Sequence, residues 1–217
     1  GDREKQIQFF AKSNLSNYIQ YKNRQYWSGY VKVSYHWGAY RRLEYMLRHL
    51  DNYYMRHYKD LDITVNQLFS CSFTDREQRV SISHPIKLRL WVTGSVSYTQ
   101  RYYDRSFTEF DSDIVTTTLK VSKKFRDFGT ISLEGLYGIA DNITFGKGAK
   151  SSNLDRSYRH TELYLPLSYD QGMLGFEVVG FSLRADFRQY GVEDISDPLH
   201  SGRSHKETKF DIWVEKN

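Results

Sequence analysis

An all-β, antiparallel fold is what this sequence predicts, and three observations predict it. Apolar and polar residues alternate with a period of two over long runs, as in KLRLWVTGSVSYTQRY (87–102), and that period is the signature of a strand with two unlike faces. Polar and Gly-containing breaks separate these runs at intervals that suit turns. No apolar run approaches the roughly 20 residues a spanning helix needs. The expected architecture is a single domain over 1–217 in which about 10–12 strands form an up-and-down transmembrane barrel. The alternative architectures are a soluble β-sandwich and an α+β domain.

The strands are expected, in order, at Ile7–Lys12, Asn17–Lys22, Tyr30–Trp37, Arg42–Arg48, Leu61–Phe73, Gln78–His84, Lys87–Tyr102, Ile114–Phe125, Thr130–Ala140, His160–Tyr169, Leu174–Gln189 and Glu207–Glu215. In Leu61–Phe73 the single cysteine, Cys71, shares a face with Ile63, Val65, Phe69 and Phe73. It reads as a small buried or lipid-facing residue, and one cysteine excludes an intramolecular disulfide framework. In Lys87–Tyr102 the apolar face is Leu88, Leu90, Val92, Gly94, Val96 and Tyr98. Its other face carries Lys87, Arg89, Trp91, Thr93, Ser95, Ser97, Thr99 and Arg101. In Leu174–Gln189, Phe181, Leu183, Ala185 and Phe187 oppose Arg184, Asp186 and Arg188. Gly94, Gly135 and Gly180 fall in mid-strand on the expected apolar face, where a bend or a close approach gives a reason for glycine.

Residues 40–61 support two readings. Leu43, Met46, Leu47, Leu50, Tyr54, His57 and Leu61 follow the spacing of an amphipathic helix. Leu43, Tyr45 and Leu47 against Arg42, Glu44, Met46 and Arg48 instead make a strand, followed by a hairpin turn at His49–Asn52. Connections are expected to alternate in length. FRDFGT (125–130) and YDQGML (169–174) are tight, whereas 104–113, 141–159 and 192–206 are long and polar. Short turns at one end and long loops at the other suit a membrane barrel. Aromatics near strand ends, among them Trp27, Tyr35, Trp37, Tyr103, Tyr158, Tyr164, Tyr190 and Trp213, are read as interfacial girdles.

Composition narrows the function. Lys plus Arg number 31 against 26 Asp plus Glu, a formal charge of +5, which favours acidic partners weakly. Acidic residues interrupt the cationic runs at Asp104, Glu109, Asp111 and Asp113, so a continuous phosphate track for nucleic acid is not expected. GKGAK (146–150) lacks P-loop spacing and reads as a loop. The seven histidines show no zinc-type spacing, and no G-x-S-x-G elbow is present. A Ser/His pair at His84 or His160 is the remaining hydrolase arrangement. No catalysis, metal or cofactor is expected. The opening GDREKQ reads as a mature N-terminus or an engineered remnant.

The run VTTTLKVSKKFRDFGTISLEGLYG, with KLRLWVTGSVSYTQRYYDRS before it and HKETKFDIWVEKN closing the chain, resembles small monomeric outer-membrane porins for acidic oligosaccharides. The resemblance spans about residues 78–217 and rests on layout. It implies a bacterial outer-membrane channel, in contact with lipid, for passive uptake of acidic oligosaccharides or other anions. The expected lumen residues are Lys87, Arg89, Trp91, Arg101, Arg184 and Arg188. The hairpins also resemble the barrel of a fimbrial usher, which would bring pilus subunits and their chaperone as partners. A soluble carbohydrate- or nucleic-acid-binding β domain is the remaining reading.

Overall fold

The computed structural model describes residues 5–19, 24–38, 41–59, 68–87, 89–104, 108, 110–126, 129–143, 156–169, 177–191 and 204–215. Ten strands form one sheet in strictly sequential order. They are β1 (Gln6–Ser16), β2 (Tyr26–His36), β3 (Arg42–Lys59), β4 (Leu68–Lys87), β5 (Leu90–Tyr103), β6 (Ser112–Lys124), β7 (Gly129–Asn142), β8 (Tyr158–Tyr169), β9 (Val178–Tyr190) and β10 (Ser204–Glu215). Every neighbouring pair is antiparallel. No ladder joins β1 to β10, so the sheet has two free edges. The strand ends His36, Arg42, Lys87, Leu90, Lys124, Gly129, Tyr169 and Val178 lie at one end of the sheet, and Ser16, Tyr26, Lys59, Leu68, Tyr103, Ser112, Asn142, Tyr158, Tyr190 and Ser204 at the other.

The dozen expected strands become ten. Asn17, Tyr18 and Ile19 follow the end of β1 and form no strand; 20–22 lie outside the described residues, as do 61–67 and 174–176. The expected strands at Leu61–Phe73 and Gln78–His84 are parts of β4, because Asp75, Arg76 and Glu77 continue the alternation instead of breaking it. Lys87 belongs to β4 and not to β5. Arg89 sits in the intervening turn at φ +61°.

Residues 42–59 are one strand, neither helix nor hairpin. At the expected turn the register slips between Leu50 and Tyr53 and again between Tyr54 and Arg56. Such bulges bend a strand without ending it. Asn52 takes φ +50° there, a conformation Asn tolerates better than most residues. Its backbone N–H donates to Thr74 Oγ1 at 3.2 Å, and its side-chain oxygen accepts from Ser72 Oγ at 2.6 Å. Asn52→Val is expected to cost about 1–3 kcal/mol, since a β-branched residue is strained at positive φ. Asn52→Gly, free of that strain, should cost less. Denaturant titration of the two variants checks the order.

The two faces of the sheet invert the usual arrangement. Cys71, Phe73 and Ala140 are the buried apolar side chains among the described residues, whereas Ser34, Asp75, Glu77, Ser97, Ser122 and Ser182 are buried polar ones. Val33, Leu43, Val80, Val96, Leu119, Leu133, Leu163, Leu183 and Ile212 are exposed. The chain exposes 15190 Å², against roughly 10,500 Å² for a compact water-soluble protein of its mass. A sandwich would cover one apolar face with a second sheet, and here all ten strands lie in one sheet. Among the described residues there is no α-helix to cover it either. None of the helices is long and apolar enough to cross a membrane, which says nothing of strands.

The outer apolar residues form a belt that leans against the hydrogen-bond rows. One row runs Ala11, Val31, Leu47, Gln78, Tyr98, Val115, Ile139, Arg159, Gln189, Ser204. Ala11 is the middle of the outer set of β1, Ile7 to Leu15. The middle of the β10 set, Phe210 to Val214, is Ile212, eight residues beyond Ser204. Eight residues span roughly 27 Å and nine strand spacings roughly 43 Å. The strands therefore lean about 30° from the belt's normal, close to the tilt of barrel strands.

Candidate functional site

The inner face is built from the polar half of each alternation. Its dominant feature is a set of ion pairs, some between neighbouring strands and some between residues two apart on one strand. Lys32 and Arg42 flank Glu44 at 3.5 and 3.7 Å. Glu77 lies between Arg48 at 2.9 Å and Arg79 at 2.6 Å. Lys120 meets Glu134 at 3.6 Å, Arg184 meets Glu162 at 3.2 Å, and Lys209 meets Glu207 at 3.1 Å. The Arg101 guanidinium grips both oxygens of Asp75 at 2.8 Å. Asp75 is 2% exposed, so this pair is the most withdrawn from water. Serines at Ser34, Ser83, Ser97, Ser122, Ser132 and Ser182 fill the narrow spaces between the long side chains. Ser122 and Ser132 bond to each other at 2.8 Å.

Four of the six expected lumen residues face inward. Trp91 pairs with Pro85 and Ser122, and Arg101, Arg184 and Arg188 lie on β5 and β9. Each arginine also covers an aromatic ring. Arg101 lies 4.4 Å from the Phe73 centroid, Arg184 4.7 Å from Tyr164, and Arg188 4.7 Å from Tyr158. Of these arginines, Arg101 and Arg184 are paired with carboxylates, Asp75 and Glu162. The Arg188 Nε is buried without a hydrogen-bond partner. Lys87 and Arg89 do not join this set. Both are exposed at the β4–β5 hairpin tip, because the strand breaks between them.

Several expected girdle aromatics point inward. Tyr103 packs with Phe73 and Phe110, and Tyr158 with Tyr190, at the long-loop end. Trp213 lies on Gly180, where any Cβ would overlap its ring. That contact is the reason for glycine at 180, and it places Gly180 on the inner face and not on the apolar one. Gly94 and Gly135 do lie outward, with open space above them. Trp27 remains outward, its Nε1–H donating to Ser13 Oγ at 2.7 Å. Asp111, just before β6, accepts from the Tyr103 backbone N–H at 2.6 Å. Withdrawal from water nevertheless holds its carboxyl above the usual range.

The pattern reading missed Asp75 and Glu77 as members of the site; it set Asp186 between Arg184 and Arg188 and named His160 only as a partner for a serine. The signal was present in the parity of SFTDREQRVS, which sets Asp75, Glu77, Arg79 and Ser81 on one face. His160 Nε2 lies 3.0 Å from Asp186 and 3.9 Å from Glu162. The three offer ligand atoms within 4.8 Å of one another. Arg184 already pairs Glu162 at 3.2 Å, so part of the cluster's negative charge is met without a cation. His84 lies on the opposite, outer face, exposed. Cys71 is buried beside Phe73. Neither a protein-family model nor a curated protein nor a solved structure matches this chain.

Proposed function

We propose that this chain forms the wall of a bacterial outer-membrane β-barrel, with lipid against its apolar belt and a water-filled lumen against its ion-pair ladder. The observation that supports this most is the inverted burial, with branched apolar side chains outside and serines and paired charges inside. On β5 the belt runs from Leu90 to Tyr98 and on β7 from Ile131 to Ile139. Each covers about 27 Å along a leaning strand, or roughly 23 Å of thickness, near the apolar band of such barrels.

A polar lumen of this kind passes hydrophilic solutes, and we read the solute as acidic. Among the described residues no carboxylate lies at ion-pair distance from Arg188, so its guanidinium supports a preference for a sugar carboxylate. Arg101 and Arg184 contribute less to selectivity because Asp75 and Glu162 balance them. In planar bilayers the protein should conduct with a preference for anions. Arg188→Gln should lower that preference by more than Arg101→Gln or Arg184→Gln does. The membrane assignment is checked separately, by fractionation with the outer membrane and by a heat-dependent shift in gel mobility. Cation selectivity unchanged by Arg188→Gln would sink the anion reading while leaving the membrane assignment intact.

A further inference from the structure

The two free edges carry a specific match. An edge strand exposes a row of unpaired N–H and C=O groups, and in hydrocarbon each unsatisfied group costs several kcal/mol. β1 and β10 are the two edge strands, and β10 carries charges at Lys206, Glu207, Lys209 and Asp211. Each is long, without proline, and keeps the two-faced pattern of the interior strands. With ten strands in sequential antiparallel order, β1 and β10 run in opposite directions, so they suit an antiparallel ladder. The lean of the belt narrows where they meet. If the belt is continuous, the slip of about one residue per strand leaves two registers that keep outer residues on one face, with Ile212 opposite Ala11 or opposite Ser13.

The inner residues choose between these two registers, and they favour Ala11 opposite Ile212. Counting outward from Ala11 and Ile212 puts Lys12 opposite Asp211 and Phe10 opposite Trp213. Phe10 and Lys12 stand on the inner side of β1, where Phe10 stacks on Tyr30 at 5.5 Å. Asp211 and Trp213 stand on the inner side of β10, toward Ser182 and Gly180. A cation thus meets an anion and a ring meets a ring, each a stabilising cross-strand pair. Resting on the membrane-barrel reading, we propose that β1 pairs antiparallel with β10 of the same chain, with Lys12 across from Asp211 and Phe10 across from Trp213. Joining two edges of one sheet also avoids the entropic cost of recruiting a second molecule.

The test is disulfide trapping in outer membranes, in a Cys71→Ser background. Directly opposite residues stand about 4.5–5.5 Å apart, within disulfide range. Lys12→Cys with Asp211→Cys should oxidise to a monomeric, intramolecularly bridged product. Lys12→Cys with Trp213→Cys, one step off register on the same face, should trap at least tenfold less. A cross-linked dimer would overturn the proposal in favour of a second copy. Faster trapping with Trp213→Cys would overturn the register. Absence of both products in heat-modifiable, membrane-embedded protein would mean that other strands separate the edges, which ends the proposal but not the membrane assignment. Protein that fails to fractionate with the membrane would instead end the reading on which it rests.

Discussion

Arg101→Gln should lower the stability of the folded protein by about 3–5 kcal/mol, the usual loss when one partner of a buried ion pair is removed. The size follows from Asp75. Its carboxylate is 2% exposed and receives both of its 2.8 Å bonds from the one guanidinium. Glutamine supplies one donor group without charge, so a buried anion is left half-solvated. The substitution also uncovers the Phe73 ring that the guanidinium shields. Arg101→Gln combined with Asp75→Asn should recover most of the loss, because no buried charge then remains. Urea unfolding in detergent micelles, followed by the heat-dependent gel shift, measures both variants. Equal destabilisation of the single and double variants would show that packing, and not the orphaned charge, controls this position.

Leu119→Arg should cost about 2–4 kcal/mol, the penalty for a cation on the lipid face near the bilayer midplane. Leu119 is 56% exposed and stands between Gly94 and Gly135 in its hydrogen-bond row. There is ample room for arginine, so a steric cost is absent and the penalty isolates the surroundings. In water the same change would be nearly silent, as exposed substitutions generally are. Gln100→Arg, on the outer face just beyond the belt on β5, should cost less than about 1 kcal/mol. Comparing the two by unfolding in lipid vesicles reads the depth dependence directly. Equal small costs at both positions would mean that the belt faces water.

Much of this fold was legible in the sequence because period two is a local signal. The faces of β5 and β9, and the tight turn leading to Gly129, could be read from a few neighbouring residues. What was hidden depended on long-range pairing. Asp75, Arg76 and Glu77 look like a solvated break until Arg48 and Arg101 on adjacent strands are seen to pair with the acids. Arg89 has no glycine-like signature, yet it adopts φ +61° in the β4–β5 turn. The strand at 87–102 was therefore expected to run through that turn, which carried Lys87 and Arg89 into the lumen set. Residues 49–52 bear turn chemistry, but β2 and β4 on either side hold the chain extended and reduce the turn to a bulge. The arginines of the site were visible by type. Their neutralisation was not, because it depends on which strand lies next to which.

The lean of the hydrogen-bond rows also shapes what a permeating solute would encounter. Because successive strands slip by about one residue, charges that are neighbours across the sheet sit at successively different depths. Glu44, Glu162 and Glu207 share one row, and they climb the wall like treads of a spiral stair. In a closed barrel, a solute would meet these carboxylates one after another along a screw-shaped track, rotating as it advanced.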